Sequence, residues 1–119
     1  MVDKQSFSKA FIHALDGIIH CARYERNMKI HILAAVLAGG MAWWLRLDRY
    51  EIMILVITIA SVLVAEMFNT VVETIIDMVT PQFHPLAKIA KDVAAGAVLI
   101  TAVLSLIVGY ILFFDKICG

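Results

Sequence analysis

Charge is scarce in this chain. Only 17% of its 119 residues are Asp, Glu, Lys or Arg, and ten basic residues are balanced by ten acidic ones. Soluble domains carry about 25% charged residues, so a water-facing surface on all sides is excluded. Zero net charge leaves no basic patch for a nucleic-acid partner. Cysteine is equally sparse: Cys21 and Cys118 fall in different expected compartments and in no metal or redox spacing, so both are read as free thiols. The two prolines, Pro81 and Pro85, sit in one hexapeptide and nowhere else. No compact apolar run followed by a small-residue cleavage site occupies the polar N-terminus, and no cleavable signal peptide is expected. The sequence also lacks a Gly-rich Walker-type phosphate loop and the protein-kinase signatures.

What the chain has is apolar residue, at 62% with a mean hydropathy of +0.90. One core of a soluble domain this short cannot hide that much apolar surface, whereas lipid can cover it. Three runs stand out: Ile30 to Leu47, Ile52 to Ala65 with a polar continuation, and Val93 to Phe114. A spanning helix needs about 20 residues, so membrane helices are expected over 30–47, 51–79 and 90–114. The polar turn 46–51 separates the first two, and Thr80-Pro-Gln-Phe-His-Pro85 stops the second.

Residues 1–29 differ. Phe7, Ala10, Phe11, Ala14, Leu15, Ile18, Ile19 and Ala22 recur at helical spacing, with Lys9, Asp16, His20 and Arg23 on other faces. An amphipathic helix lying in the membrane interface shows this stripe. A helix packed on cytosolic protein would too, but the direct junction with a span favours the interface. Near the spans, Lys4, Lys9, Arg23, Arg26, Lys29, Lys88 and Lys91 lie on one side and Arg46, Arg49 and Lys116 on the other. The positive-inside rule then puts the N-terminus and the proline loop in the cytoplasm, with Trp43, Trp44, Tyr50 and Tyr110 near the outer interface.

The second span carries the feature that needs a chemical explanation. Glu66, Asn69, Thr70, Glu73 and Asp77 follow one another at offsets of mostly three or four and share one helix face. If the helix starts outside at Glu51, a hydrocarbon core about 30 Å thick is crossed near residue 71, so Glu66 and Asn69 lie within the cytoplasmic leaflet. A charged carboxylate at mid-membrane costs about 2.5–3.5 kcal/mol, and a stripe of three also repels itself. Asp77 alone is as well read as a side chain reaching for water, whereas Glu66, Asn69 and Glu73 together must face protein, a cation or a wet cleft. Magnesium is commonly held by one or two carboxylates plus substrate phosphates, so a carboxylate here, near Lys88, Lys91 and Asp92, suits a metal-bound nucleotide. Glu25, at the end of the interfacial helix, reads on periodicity alone as a solvated helix-end charge. Four small residues, Ala94 to Ala97, allow close helix approach or simply fill apolar space.

Glu66-Met-Phe-Asn-Thr-Val-Val-Glu73, followed by His84-Pro-Leu-Ala-Lys-Ile-Ala-Lys-Asp92, resembles the prokaryotic diacylglycerol kinase family. Size, three spans and the surface helix match as well. The runs Glu25-Arg-Asn-Met-Lys-Ile-His31 and His-Pro-Leu-Ala-Lys-Ile look most like its Gram-positive branch, the undecaprenol kinases. The resemblance implies an all-α integral membrane protein of three transmembrane helices and a surface helix. It further implies a homotrimeric bundle in the bacterial plasma membrane, multi-pass, with its active sites cytoplasmic and at protomer boundaries. It implies transfer of the γ-phosphate of ATP, with Mg2+, to the hydroxyl of a lipid: undecaprenol, or alternatively diacylglycerol. Position by position, Glu66 matches the general base that meets the lipid hydroxyl. Glu25 and Glu73 match magnesium and nucleotide ligands, and Asn69, Lys91 and Asp92 match polar site residues. Gln82, Phe83 and His84 fall in the loop that meets the nucleotide. Two departures stand out: Ser6 replaces an N-terminal arginine of the diacylglycerol kinase branch, for which Lys4 or Lys9 would have to substitute, and Val71 replaces an alanine. A small oligomeric transporter or channel with Glu66 as its coupling carboxylate is the rival of another class. An odd number of spans and several carboxylates on one stripe speak against it.

Overall fold

A computed structural model describes residues 4–119 as four helices and, among those residues, no strand. They are α1 (Lys4–Tyr24), α2 (Arg26–Trp44), α3 (Arg49–Val79) and α4 (Pro85–Cys118). The side chain of Lys4, counted above with the cytoplasmic charges and as a stand-in for the missing arginine, lies outside what is described.

The helix ends are set by local chemistry, and they correct the expected bounds. The surface helix stops at Tyr24 instead of running to residue 29, because Glu25 adopts an extended backbone (φ −101°, ψ 119°). The break is one residue wide: the Glu25 N–H still donates to Cys21 O, and its carbonyl accepts from Lys29 N. α2 ends at Trp44, short of Leu47. Leu47 N–H donates to Ala42 O, and Arg46 N–H donates to Trp43 O, the crossed pair that closes a helix with a left-handed residue. That residue is Arg46, at φ 57°. Leu47 then folds back onto Ala42, Leu55 and Leu112 in a small apolar cluster.

α3 begins at Arg49 because Asp48 and Glu51 form a reciprocal capping box, each backbone N–H donating to the other's carboxylate at 2.9 Å. The Glu51 carboxylate also meets Lys116 Nζ at 3.1 Å, tying the start of α3 to the end of α4. α4 starts at Pro85, five residues before the expected 90. Pro85 suits a first helical position, and His84 Nδ1 accepts from Leu86 N at 3.1 Å. The apolar runs of α3 and α4 thus lie inside longer helices, whose hydrogen bonding continues past them.

α3 and α4 are long and apolar enough to cross a membrane. Only 22% and 6% of their apolar windows are buried within the chain, whereas a core helix of a soluble protein would be covered. At 31 and 34 residues they measure about 46 and 51 Å, longer than the hydrocarbon core. α3 packs chiefly on α4, and α2 lies against both. α1 leaves Phe7, Phe11, Ile12 and Ile19 uncovered and touches α2 and α3.

Candidate functional site

The face of α3 that meets the α1–α2 junction carries the polar stripe. Glu66 is 1% exposed, and with Met28 it is among the most deeply buried side chains of the chain. Its Oε2 is buried without a hydrogen-bond partner. His31 of α2 stands beside it, Nε2 to Oε2 at 3.8 Å. The charges of Glu25 and Glu73 both act on Glu66, so acidic groups from two parts of the chain lie near it. An unsatisfied buried polar atom costs about 1–3 kcal/mol, and more when charged. Stability alone would not select this arrangement.

Neighbouring side chains order the rim. Asn69 Nδ2 donates to Glu73 Oε1 at 3.3 Å, while its Oδ1 is buried and unpaired. Thr70 donates from Oγ1 to the Glu66 carbonyl at 3.1 Å, and Cys21 Sγ lies 3.7 Å from the same hydroxyl. Cys21 is buried and free, Cys118 exposed and free. Glu25 makes no side-chain capping bond; its side chain is one methylene longer than that of aspartate, one of the short acceptors that cap well. Its carboxylate is therefore not consumed by the helix end.

A second polar group lies at the α3–α4 turn. Asp77, Gln82, Phe83, His84, Lys88, Lys91 and Asp92 surround a recess of ≈ 380 Å³. Asp77, for which solvent and function were equal readings, accepts from Lys91 Nζ at 2.7 Å. The adjacent Asp92 instead pairs with Lys88 at 2.6 Å, so Lys91 and Asp92 serve different partners. The ring of His84 has its Nδ1 engaged in capping α4.

Glu66 and Asp77 share a face of α3 but are separated by about 16 Å along its axis. One chain thus brings Glu66, Asn69, Glu73 and Glu25 together, and separately Gln82, Phe83, His84, Lys91 and Asp92. Among the described residues no three His, Cys, Asp or Glu side chains close around a common metal position. Sequence reasoning missed His31 and the Cys21–Thr70 contact. A histidine inside the apolar run 30–47 was the available signal for the first.

A profile of the prokaryotic diacylglycerol kinase family matches residues 12–113. The undecaprenol kinase of Bacillus subtilis is 41% identical over 111 residues, covering 93% of this chain and 90% of that protein. A diacylglycerol kinase of Synechocystis is 38% identical over 101 residues, 84% of this chain and 58% of that one. The diacylglycerol kinase of Escherichia coli is 30% identical over 83 residues, 70% of this chain and 68% of that one. With a buried carboxylate on a membrane-length helix and most of its length matched, the chain belongs to the prokaryotic diacylglycerol kinase family.

Proposed function

We propose that this lipid kinase transfers the γ-phosphate of ATP to the hydroxyl of undecaprenol, with Glu66 as general base. The observation that carries the assignment of Glu66 is its burial: a carboxylate 1% exposed, with one oxygen unpaired, on a helix long enough to cross the bilayer. The choice of lipid rests on the 41% identity to an undecaprenol kinase. Diacylglycerol is the second reading, because the Synechocystis and Escherichia coli relatives bear that name.

In this reading α2 is also a membrane span, its 19 residues reaching about 28 Å, and α1 lies in the cytoplasmic interface. Glu66 then sits about 26 Å from the outer start of α3, in the inner half of a core about 30 Å thick, where an interfacial hydroxyl can reach it. The hydroxyl proton passes to Glu66 as the lipid oxygen bonds to the γ-phosphorus, and the bond from that phosphorus to the departing ADP oxygen breaks.

The residues present fit magnesium. Glu73 and Glu25 offer hard oxygens, Glu25 is free of capping, and Asn69, which donates to Glu73, has its Oδ1 buried and unpaired. Glu25 and Glu73 would hold the ion, which supplies neutralisation of phosphate charge. Lys91 and Asp92, with Gln82, Phe83 and His84, form the nucleotide side. The two polar groups are separated within one chain, and α3 and α4 expose broad apolar surfaces, Phe68, Leu99 and Leu106 among them. Both facts support a homotrimer in which neighbouring copies complete each site. The test is ATP-dependent phosphorylation of undecaprenol and diacylglycerol side by side in the same micelle. A higher kcat/KM for undecaprenol is expected; phosphorylation of neither lipid would refute the assignment, and a ratio favouring diacylglycerol would select the second reading.

A further inference from the structure

His31 is not accounted for by the mechanism above. It sits one turn and a half into α2, where the apolar run begins, yet its side chain is 20% exposed and directed at a carboxylate 2% exposed. It also marks the cytoplasmic end of an apolar cavity of ≈ 170 Å³ between α2, α3 and α4, with Ala34, Ala38, Leu55, Val62 and Phe113 among its walls. The imidazole therefore stands between apolar space and the acidic stripe. Glu66 Oε2 has no hydrogen bond, and among the described residues His31 Nε2 lies 3.8 Å from it. At 3.8 Å the pair is just beyond hydrogen-bonding distance, and closing by under about 1 Å would form an N–H···O bond. Such bonds in empty sites are often long and tighten when substrate arrives.

We infer that His31 is a positioning residue for phosphoryl transfer. When substrate closes the 3.8 Å gap, its Nε2–H donates to Oε2 of Glu66, fixes the carboxylate plane, and leaves the other oxygen for the lipid hydroxyl. Glu25 and Glu73 repel the Glu66 carboxylate, and a donor beside its Oε2 holds it in place. The inference rests on Glu66 being the base.

The test uses the full chain in micelles and three substitutions of His31. Gln places an amide N–H near the position of Nε2, Asn places it near Nδ1, and Leu removes the donor. His31→Leu should lower kcat by about 10–100-fold, the range for loss of an orienting group, with KM for ATP and lipid changed by less than about threefold. His31→Gln should restore kcat to within a few-fold of wild type, and His31→Asn should not. If the leucine variant does not fold, the Gln-versus-Asn contrast decides. Wild-type kcat in His31→Leu or in His31→Asn, a loss confined to KM, or a Gln variant as slow as the Asn variant would overturn the role of His31. Glu66→Gln, assayed in parallel, separates this from the base assignment: an active Glu66→Gln removes the base, whereas an inactive one beside a fully active His31→Leu removes only the positioning role.

Discussion

Replacing Glu66 by Gln should separate activity from stability in opposite directions. The two side chains have nearly the same shape, so the 1% exposed pocket stays filled and no cavity term arises. What disappears is the capacity to take a proton, worth about 10²–10⁴-fold in turnover for a general base, or about 2.7–5.4 kcal/mol of barrier. The fold, by contrast, loses a buried charge that faces Glu25 and Glu73 and whose Oε2 is unpaired. Removing an uncompensated charge is neutral or stabilising, and an amide can still accept from His31. Glu66→Asp sharpens the contrast: it keeps the carboxylate but withdraws it by one methylene, and a displacement near 1 Å costs about 10²-fold. Turnover at saturating ATP and lipid gives the kinetic arm, and thermal unfolding in the same detergent gives the other. The reasoning fails if Glu66→Gln turns over within about fivefold of wild type, or if its midpoint drops with its activity.

Three further outcomes are expected. Glu25→Ala and Glu73→Ala should each shift the magnesium dependence of ATP use to higher concentration; an activity loss with an unchanged titration would remove that residue as a ligand. Arg46 occupies a left-handed conformation at φ 57°, which costs a side-chain-bearing residue about 1–2 kcal/mol, so Arg46→Gly should raise the unfolding midpoint without altering kcat; a fall would show that the arginine makes a compensating contact. At Gly96 a Cβ would meet nothing within 4 Å inside the chain. Gly96→Leu should therefore leave the protomer fold intact and disturb oligomer size in micelles together with activity, and a normal, active oligomer would place that face against lipid.

Much of this was legible because it depends on periodicity. The carboxylate stripe from Glu66 to Asp77 needs only helical geometry, and the prolines at 81 and 85 mark the end of α3 regardless of packing. The Asp48–Glu51 box was legible in principle, as an acidic cap three residues before a glutamate, but the turn around it was read as merely polar. Contacts between helices were not legible. His31 meets Glu66, and Lys91 meets Asp77, through packing angles that no spacing encodes. Glu25 shows the limit most clearly: its periodicity fits a continuous solvated helix, and the one-residue backbone break at its position is not written in that spacing.

That break has a mechanical consequence. Both backbone polar groups of Glu25 remain in helical bonds, so α1 and α2 behave as two stiff rods meeting at one pair of torsions, with no loop to absorb slack. A tilt of α1 has to be taken up by φ and ψ of Glu25 itself, and those torsions also aim its side chain. The inclination of the exposed apolar stripe of Phe7, Phe11 and Ile19 is thereby geared to the direction of a carboxylate whose charge acts on Glu66. The joint and the acidic group are one residue, and the chain cannot bend there without re-aiming it.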